Sequence, residues 1–264
     1  VSGLLLAAPR YDKGAEIRHE GPRIPSAPHI AMTVAMLRAA GASVDAGALT
    51  GQPSVSEVWR VYPGELTPGV IDVEPDLSGA VPFLAAAMVT GGGVTIAGWP
   101  AESLQAAGTI LDTLSAMGAS ATTGPGGLRL TGPGTIRGIR ANLSDIGELT
   151  PVLVALAALA DSPSVFTGIG HIRTHETDRL AALAHEIGAL GGQVTELADG
   201  LAIQPRPLRA RDTVFDSHDD HRLVMAAAVL GLVVPGLRVH NAATVGKTFP
   251  GFGELWRQML EQSP

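Results

Sequence analysis

Cysteine is absent from the 264 residues of the chain. Within this chain, that absence excludes disulfide bonds, thiolate zinc sites and a cysteine nucleophile. It fits a reducing compartment, and we expect a cytoplasmic protein. Aromatic residues are also few, at 4% of the sequence, whereas alanine, glycine, valine and leucine are abundant. The helices and sheets are therefore expected to pack closely through small side chains.

Positive charge and long apolar runs are equally scarce. The net charge is −7, which argues against a surface that coats nucleic acid, because such binding requires a clustered excess of Lys and Arg. The longest apolar runs, Pro151–Ala160 and Leu223–Pro235, are shorter than the roughly 18 to 20 residues that cross a bilayer. We therefore expect neither nucleic acid nor a membrane as a partner, and any anionic substrate must meet a local basic cluster.

The sequence offers a sufficient core but little sign of a metal site. Apolar residues make up 45% of the chain, which is ample for a buried interior. Two histidine pairs have a helical ligand spacing, namely His171 with His175 and His218 with His221. Neither pair resembles a known zinc signature. We therefore expect a globular chain without a metal site.

Internal repetition is the strongest organisational signal. Three similar segments are centred on Gly41, Gly118 and Gly191, which are 77 and 73 residues apart. Each glycine follows an amphipathic helical run and precedes a strand-like run, so we predict that it is the C′ residue that ends a helix. The predicted helices are Ile30–Leu37, Leu104–Leu114 and Leu180–Ile187.

A second repeated unit lies between these segments. It begins with an acidic residue, Asp76, Asp145 or Asp220, at spacings of 69 and 75 residues. Each acid precedes an Ala-rich helix and then a β-rich strand, and it is predicted to cap that helix. The predicted helices are Val81–Met88, Val152–Leu159 and Leu223–Val234, and the predicted strands are Val94–Ile96, Val165–Thr167 and Leu237–Val239.

The beginning of the chain reads as part of the same repeat. Val1–Ala8 has the position of the Ala-rich helix and Ala15–His19 that of its strand, but the acidic cap and the strand that open the repeat are missing. A helix start without a cap leaves N–H groups unsatisfied. We therefore expect the chain to be a fragment that begins within a repeat.

The repeats also predict the domain organisation. Three copies occupy residues 71–264 and are expected to form one domain, whereas the partial copy at residues 1–70 is expected to belong to another. The segment Gly64–Gly69 has prolines nearby and is the expected hinge.

The densest chemistry lies in Gly170–Leu180, immediately before an apolar-periodic run. Glu176 and Arg179 are three residues apart and would share one face of a helix. Both could then contact a ligand at the positive end of the helix dipole. The alternative interpretation is a solvated helix start with a local ion pair. The other charged residues of the segment are Arg173, His175 and Asp178.

Two further stretches suggest anion binding. In Asp216–Arg222, Arg222 would lie in the first turn of an apolar helix, which is unfavourable with the helix dipole unless an anion is bound there. Lys247 follows Gly246 in a small-residue loop, but Asn241 stands where a phosphate loop requires its upstream glycine, so that motif is rejected. Lys247 is therefore either a phosphate contact or a surface lysine.

Together these stretches resemble a known family. The segments His175–Leu180, Asp219–Arg222 and Gly246–Pro250 resemble, in order and spacing, the signature segments of the EPSP synthase family, and Ser2–Pro9 resembles the stretch that follows its Ser-Ser-Gln substrate motif. The resemblance covers the whole chain. It implies an α/β fold, the inside-out α/β prism of enolpyruvyl transferases, built from βαβαββ repeats.

The resemblance also implies a reaction. Family members transfer the enolpyruvyl group of phosphoenolpyruvate to the 5-hydroxyl of shikimate 3-phosphate and release phosphate, without a metal or organic cofactor. It implies that Glu148, where the family usually has Asp, binds the shikimate hydroxyls and acts as a base, and that Glu176 handles the proton at the methylene carbon. The implied substrate-binding residues are Ser26 and His175 for shikimate 3-phosphate, and Arg179, Arg222 and Lys247 for phosphoenolpyruvate.

Three histidines depart from the family pattern. His171 and His175 stand where many members have Asn and Lys, and His29 where Tyr is common. His221 lies beside the matched Arg222 and is weighed equally between a structural and a functional role.

The resemblance further implies that the intact enzyme is a monomer and that this chain needs the N-terminal half for turnover. A related enolpyruvyl transferase that acts on a UDP-amino sugar is one alternative, although it is expected to rely on a cysteine. The other alternative is a non-enzymatic, repeat-built binding module whose charged helix starts are caps.

Overall fold

The computed structural model describes residues 1–21, 24–48 and 56–261. The chain divides into two compact units. The first unit is Val1–Glu74 with Glu102–Ala106, and the second unit is Pro75–Ala101 with Ala107–Pro264. No helix in the described ranges is long and apolar enough to cross a membrane.

In its described residues, the first unit contains a three-stranded antiparallel sheet and two helices. Strand β3 lies between β1 and β2, so that Val61 is opposite both Ala15 and Val44. The core is formed by apolar residues of the helices and strands, among them Leu5, Leu37 and Trp59. The predicted helix at Val1–Ala8 and strand at Ala15–His19 are both confirmed. The elements are α1 (Ser2–Ala7), β1 (Ala15–Glu20), α2 (Ala27–Ala39), β2 (Val44–Ala48) and β3 (Ser56–Val61).

The second unit contains three sheets and six helices among its described residues. Its sheets have the strand orders β4-β6-β5, β7-β8-β10-β9 and β11-β12. The helices are α3 (Leu77–Thr90), α4 (Ala107–Ala116), α5 (Thr150–Ala158), α6 (Arg179–Ala189), α7 (His221–Gly231) and α8 (Phe252–Glu261), and the strands are β4 (Gly93–Ile96), β5 (Ser120–Gly124), β6 (Gly127–Thr131), β7 (Arg140–Asn142), β8 (Ser164–Thr167), β9 (Gln193–Leu197), β10 (Gly200–Gln204), β11 (Val214–Asp216) and β12 (Arg238–His240).

The repeat is complete in the middle copy of the second unit. Its order is β7, α5, β8, α6, β9 and β10, which is the predicted βαβαββ pattern. Strands β7 and β8 are parallel and joined by a helix, whereas β9 and β10 form an antiparallel hairpin in which Leu197 is opposite Gly200. The first copy has no strand before α3, and the last has no hairpin after β12 within the described residues.

Three apolar helices form the interior of the second unit. Helices α3, α5 and α7 pack against one another, and every residue of α5 is buried. The sequence explains this arrangement, because a helix that is apolar on all sides is stable only where it is surrounded by protein. Helix α6 instead has one apolar face, which includes Leu180, Leu183 and Ile187. It packs against β9 and leaves His185 exposed, whereas its charged residues Arg179 and Glu186 are buried.

Helix ends mostly follow the sequence prediction. Gly41, Gly118 and Gly191 have φ angles of 91°, 112° and 93°, which confirms them as left-handed residues at the ends of helices. The carboxylate of Asp76 accepts two backbone N–H groups from the first turn of its helix, and that of Asp220 accepts one. Both predicted caps are therefore confirmed.

The predicted cap at Asp145 is wrong. Helix α5 begins at Thr150, with Leu149 at the N-cap position and no side-chain cap. A 3₁₀ turn at Gly147–Leu149 separates Asp145 from the helix. Pro151 lies in the first turn of α5, where its fixed φ favours helix initiation and its missing N–H costs nothing. Proline therefore begins the helix at a point beyond the reach of Asp145.

Candidate active site

Four helix starts of the second unit lie close together. Arg222, in the first turn of α7, contacts Ser78 in the first turn of α3. Arg179, the first residue of α6, contacts Asp220, the N-cap of α7. The charge of Glu148, in the turn before α5, acts on Arg222. The positive ends of these helices thus converge on one region, which favours anions there.

Arg179 and Asp220 form a buried ion pair. Nε of Arg179 lies 2.6 Å from Oδ2 of Asp220, and Nη2 lies 3.1 Å from Oδ1. Their side chains are 4% and 0% exposed. Such burial requires a partner for each charge. Oδ1 of Asp220 also accepts the backbone N–H of Arg222 at 2.8 Å, so one carboxylate joins α6 to α7.

The pair changes the interpretation of Arg179 and Glu176. Because Asp178 caps α6 and the helix begins at Arg179, Glu176 lies outside the helix. The prediction that Glu176 and Arg179 share a helical face is therefore wrong. The alternative was a solvated helix start with a local ion pair, and Arg179 takes no part in such a pair because it binds Asp220. The local ion pair involves Arg173, whose Nη1 lies 3.0 Å from Asp178 and 2.6 Å from Glu196.

Arg222 is held by neutral groups. Its Nη2 donates to Oγ of Ser78 at 2.8 Å and its Nη1 to the carbonyl oxygen of Ser78 at 3.2 Å. Burial lowers the pKa of Arg222, while Asp76 and Glu148 act in the opposite direction. A guanidinium stays protonated in proteins. No carboxylate in the described part of the chain forms an ion pair with Arg222, so its charge is available to an anion.

Glu176 lies between His221 and Lys247. Its Oε1 is 2.8 Å from Nδ1 of His221, and its Oε2 is 3.8 Å from Nζ of Lys247. His221 is only 6% exposed, and its Nδ1 is close to Glu176 but not aligned for a hydrogen bond. The structure therefore brings together the predicted residues Glu176 and Lys247 and adds His221 to them.

A strained loop supports Lys247. Nζ of Lys247 donates to the carbonyl oxygen of Asp219 at 2.7 Å. His218 and Asp219 have φ angles of 49° and 55°, in the left-handed region that is uncommon for residues other than glycine. The amide of Asn241 donates to Oδ1 of Asp219 at 2.5 Å and helps to hold this conformation. The backbone is thus shaped to present a carbonyl group to the lysine.

Two histidines face Glu148. The rings of His171 and His175 are in edge contact, with centroids 5.7 Å apart. Burial lowers the pKa of both histidines, and the charge of Arg179 adds to this effect on His175, while Glu148 opposes it. Nε2 of His171 is buried without a hydrogen-bond partner among the described residues. It lies against Gly147, where an added Cβ would be 2.8 Å away.

The other predicted residues lie in the first unit. Ser26 is the N-cap of α2, has a left-handed φ of 56° and makes no side-chain cap bond. His29 is exposed in the first turn of α2. Their roles stay predictions.

Sequence reasoning missed Ser78 and the carbonyl of Asp219. A signal for Ser78 existed in the repeats. Ser78 follows Asp76 by two residues, as Arg222 follows the equivalent Asp220. The contact between Ser78 and Arg222 therefore joins equivalent positions of two copies.

The cluster is a poor metal site. Glu176, Asp220 and His221 offer ligand atoms that lie within 4.8 Å of one another. Both oxygens of Asp220 are already bound by Arg179, and one also accepts a helix N–H. Of the two histidines with helical ligand spacing in this region, His218 contacts Glu186, whereas His221 contacts Glu176.

Comparison with known proteins identifies the family. The sequence model of EPSP synthase (3-phosphoshikimate 1-carboxyvinyltransferase) matches residues 1–256. The chain belongs to the EPSP synthase family. A 3-phosphoshikimate 1-carboxyvinyltransferase of Mycobacterium ulcerans strain Agy99 is 48% identical over 265 residues, which cover 100% of this chain and 59% of that protein. The resemblance to the EPSP synthase family in the sequence is confirmed.

Solved structures confirm the fold. Two structures of EPSP synthase from Acinetobacter baumannii match with TM-scores of 0.73 and 0.72 and with 26% and 25% identity. Each match covers 97% of this chain and 59% of the other. The enolpyruvyl transferase NikO from Streptomyces tendae matches with 18% identity and a TM-score of 0.63, and the match covers 93% of this chain and 55% of the NikO chain. At this identity the match shows the fold alone. The chain thus spans about 59% of the length of these EPSP synthase relatives.

Proposed function

We propose that this chain contributes part of the active site of an EPSP synthase, which transfers the enolpyruvyl group of phosphoenolpyruvate to the 5-hydroxyl of shikimate 3-phosphate and releases phosphate. The observation that carries the proposal is that Glu176 lies 3.8 Å from Lys247 and 2.8 Å from His221, the neighbour of Arg222, at converging helix starts in a member of this family. The cluster combines fixed positive charge with a carboxylate that can move a proton.

Phosphoenolpyruvate would bind to the cationic side of the cluster. Arg222 has no carboxylate partner among the described residues, and Ser78 fixes the plane of its guanidinium. Lys247 adds a point charge, and the helix dipoles favour a carboxylate and a phosphate nearby. Arg179 is already neutralised by Asp220, so we assign it the role of positioning Asp220 and His175 rather than of the main anion clamp.

The carboxylates would divide the proton transfers. Glu148 would take the proton of the 5-hydroxyl while the hydroxyl oxygen attacks C2 of phosphoenolpyruvate. Glu176 would deliver a proton to the methylene carbon. The resulting tetrahedral intermediate would lose phosphate from C2 while a proton leaves the carbon that Glu176 had protonated. Lys247 lies 3.8 Å from Glu176 and can exchange a proton with it or stabilise its charged form. Contacts of Ser26 and His175 with shikimate 3-phosphate are part of the proposal.

This chain covers only part of the length of its relatives, and this bears on whether it is active alone. The relatives contain substantial sequence beyond the matched 59%. We propose that the isolated chain has negligible turnover and needs the complementary half, with which it would act as a monomer.

The test is phosphate release from phosphoenolpyruvate plus shikimate 3-phosphate, by the chain alone and after mixing with the remaining part of a close relative. We expect release only from the mixture. A UDP-amino sugar in place of shikimate 3-phosphate serves as the control acceptor and should give none. Turnover with the UDP-amino sugar alone would assign the other enolpyruvyl transfer, and absence of turnover with either acceptor would favour a binding module.

A further inference from the structure

A second cluster of titratable groups lies further along α6. Nδ1 of His185 and Nε2 of His218 each lie 2.9 Å from the same oxygen, Oε1 of Glu186. The three atoms are within 4.8 Å of one another. Glu186 is seven residues beyond Arg179, which places it about 10 Å further along the helix axis. The proposed transfer reaction uses none of these three side chains.

The carboxylate at the centre of this cluster is firmly held. Glu186 is 2% exposed, and its Oε2 accepts the backbone N–H of Asp216 at 3.0 Å. The backbone N–H of His218 donates to Oδ1 of Asp216 at 2.9 Å, and His218 has the left-handed φ of 49°. Glu186 and His218 are thus fixed by the protein, much as outer hydrogen bonds orient the ligands of a metal.

His185 provides the open side of the cluster. Its side chain is 74% exposed, so its ring can move by tenths of an ångström at little cost. Tetrahedral bonds of about 2.0 to 2.2 Å from a metal place neighbouring ligand atoms about 3.3 Å apart. The observed separations of 2.9 Å need only a small outward shift. Solvent can supply a fourth ligand at the exposed side.

We propose that His185, Glu186 and His218 form a binding site for a divalent transition-metal ion of the zinc class. Two imidazole nitrogens and one carboxylate oxygen suit Zn²⁺ and its neighbours, whereas Mg²⁺ and Ca²⁺ prefer oxygen ligands. The bound ion joins α6 to the loop before α7. That loop carries the Asp219 carbonyl that holds Lys247 and the Asp220 that binds Arg179, so the ion stabilises the neighbouring site without entering the reaction.

The site departs from the sequence expectation of no metal. The two histidine pairs noted in the sequence have helical spacing along the chain, whereas this cluster combines neighbouring residues of one helix with a histidine 32 residues away. No zinc signature has this spacing, and only the fold brings the three side chains together.

The experiment is calorimetric titration of the tag-free 264-residue chain with ZnCl₂, with MgCl₂ as the control ion. We expect saturable binding of one Zn²⁺, no binding of Mg²⁺, and weaker binding at lower pH because protons must leave the ring nitrogens. His185→Gln, at an exposed position, should weaken Zn²⁺ binding at least about tenfold. His218→Asn, which tolerates a left-handed backbone, should do the same.

A matched control is His240→Gln. His240 is exposed and contacts Asp216, but it lies outside the proposed ligand set, so its replacement should leave Zn²⁺ affinity unchanged. Thermal unfolding should show a Zn²⁺-dependent rise in Tm for the wild type and for this control but not for His185→Gln. Absence of saturable binding, or equal binding by the wild type and His185→Gln, would overturn the proposal and leave the cluster as a hydrogen-bonded carboxylate.

Discussion

Asp220 binds Arg179 through both of its oxygens and caps α7 with one of them. The same carboxylate therefore neutralises a buried charge, satisfies a helix N–H and fixes the distance between α6 and α7. Glu176 lies close to Arg179 in the sequence and Arg222 lies close to Asp220. The ion pair therefore helps to fix the positions of Glu176 and Arg222. The energetic cost of disturbing Asp220 should consequently be felt in both folding and substrate binding.

Asp220→Asn should destabilise the chain strongly. Asn retains the ability to cap α7, but Arg179 would be left buried without its charge partner. We expect the free energy of unfolding to fall by about 3 to 5 kcal/mol, as measured by urea denaturation. Asp76→Asn is the matched control, because Asp76 caps α3 in the same way without a direct ion pair among the described residues, and it should have a much smaller effect. Equal losses for the two variants would contradict a special role for the ion pair.

Glu176→Gln should separate catalysis from stability. Glu176 is partly exposed and contacts His221 and Lys247, so the amide fits the same space but transfers no proton. In the enzyme reconstituted with its complementary half, kcat should fall by about 10²- to 10⁴-fold, with an unchanged urea midpoint. Glu196→Gln, which alters an exposed acid paired with Arg173, should retain kcat. Near-wild-type turnover of Glu176→Gln would remove Glu176 from the proposed proton transfers.

Ser78→Ala should affect substrate binding more than turnover. The hydroxyl of Ser78 contacts Arg222 at 2.8 Å and Asp76 at 2.6 Å, so its loss frees the guanidinium to rotate. We expect KM for phosphoenolpyruvate to rise about tenfold, which corresponds to about 1.4 kcal/mol, while kcat changes less. Steady-state kinetics of the reconstituted enzyme measure both. Thr123→Ala, on strand β5, is the control and should leave both constants unchanged. A fall in kcat with constant KM would argue against a positioning role.

The stability of the chain should depend on the protonation of His171. Burial lowers the pKa of His171 below its ordinary value of 6.5. The unfolded chain therefore binds the proton at a higher pH than the folded protein does. This contribution to stability is fully present above about pH 6.5 and is lost as the pH falls from there through the lower pKa of the folded state.

Replacing His171 should therefore make the pH profile flatter. Urea denaturation between pH 7.5 and about 5 should show a smaller loss of stability for His171→Asn than for the wild type. Thr174→Ala, a neighbouring change that removes no titrating group, should keep the wild-type slope. A steeper profile for His171→Asn would mean that the folded protein stabilises the charged form of His171 instead.

The helices and strands could be predicted from the sequence because they depend on the local pattern of residues. Apolar periodicity and the repeated glycines placed the helices and strands, because both signals act over a few residues. The ends of the helices were predicted less accurately. The helix predicted at Leu223–Val234 begins at His221 and ends at Gly231. Asp145 was mistaken for a cap because a 3₁₀ turn and Pro151 start α5 later than the pattern indicates.

The candidate site depends on contacts between residues that are distant in sequence, and these were not predicted. The residue types of Glu176, Arg222 and Lys247 were evident, but the pairing of Arg179 with Asp220 joins residues 41 positions apart. The contact of Arg222 with Ser78 spans 144 positions. Such contacts arise from the packing of whole helices, which no local spacing specifies.

Helix α5 also has a consequence for how the second unit opens. Because all nine of its residues are buried between α3 and α7, its amide protons can meet solvent only when the surrounding helices separate. Hydrogen–deuterium exchange should therefore be slowest in α5 and should report global unfolding there. The amides of α8, with its polar outer face, should exchange through local fraying. Separation of the helices around α5 would then be the step that opens the second unit.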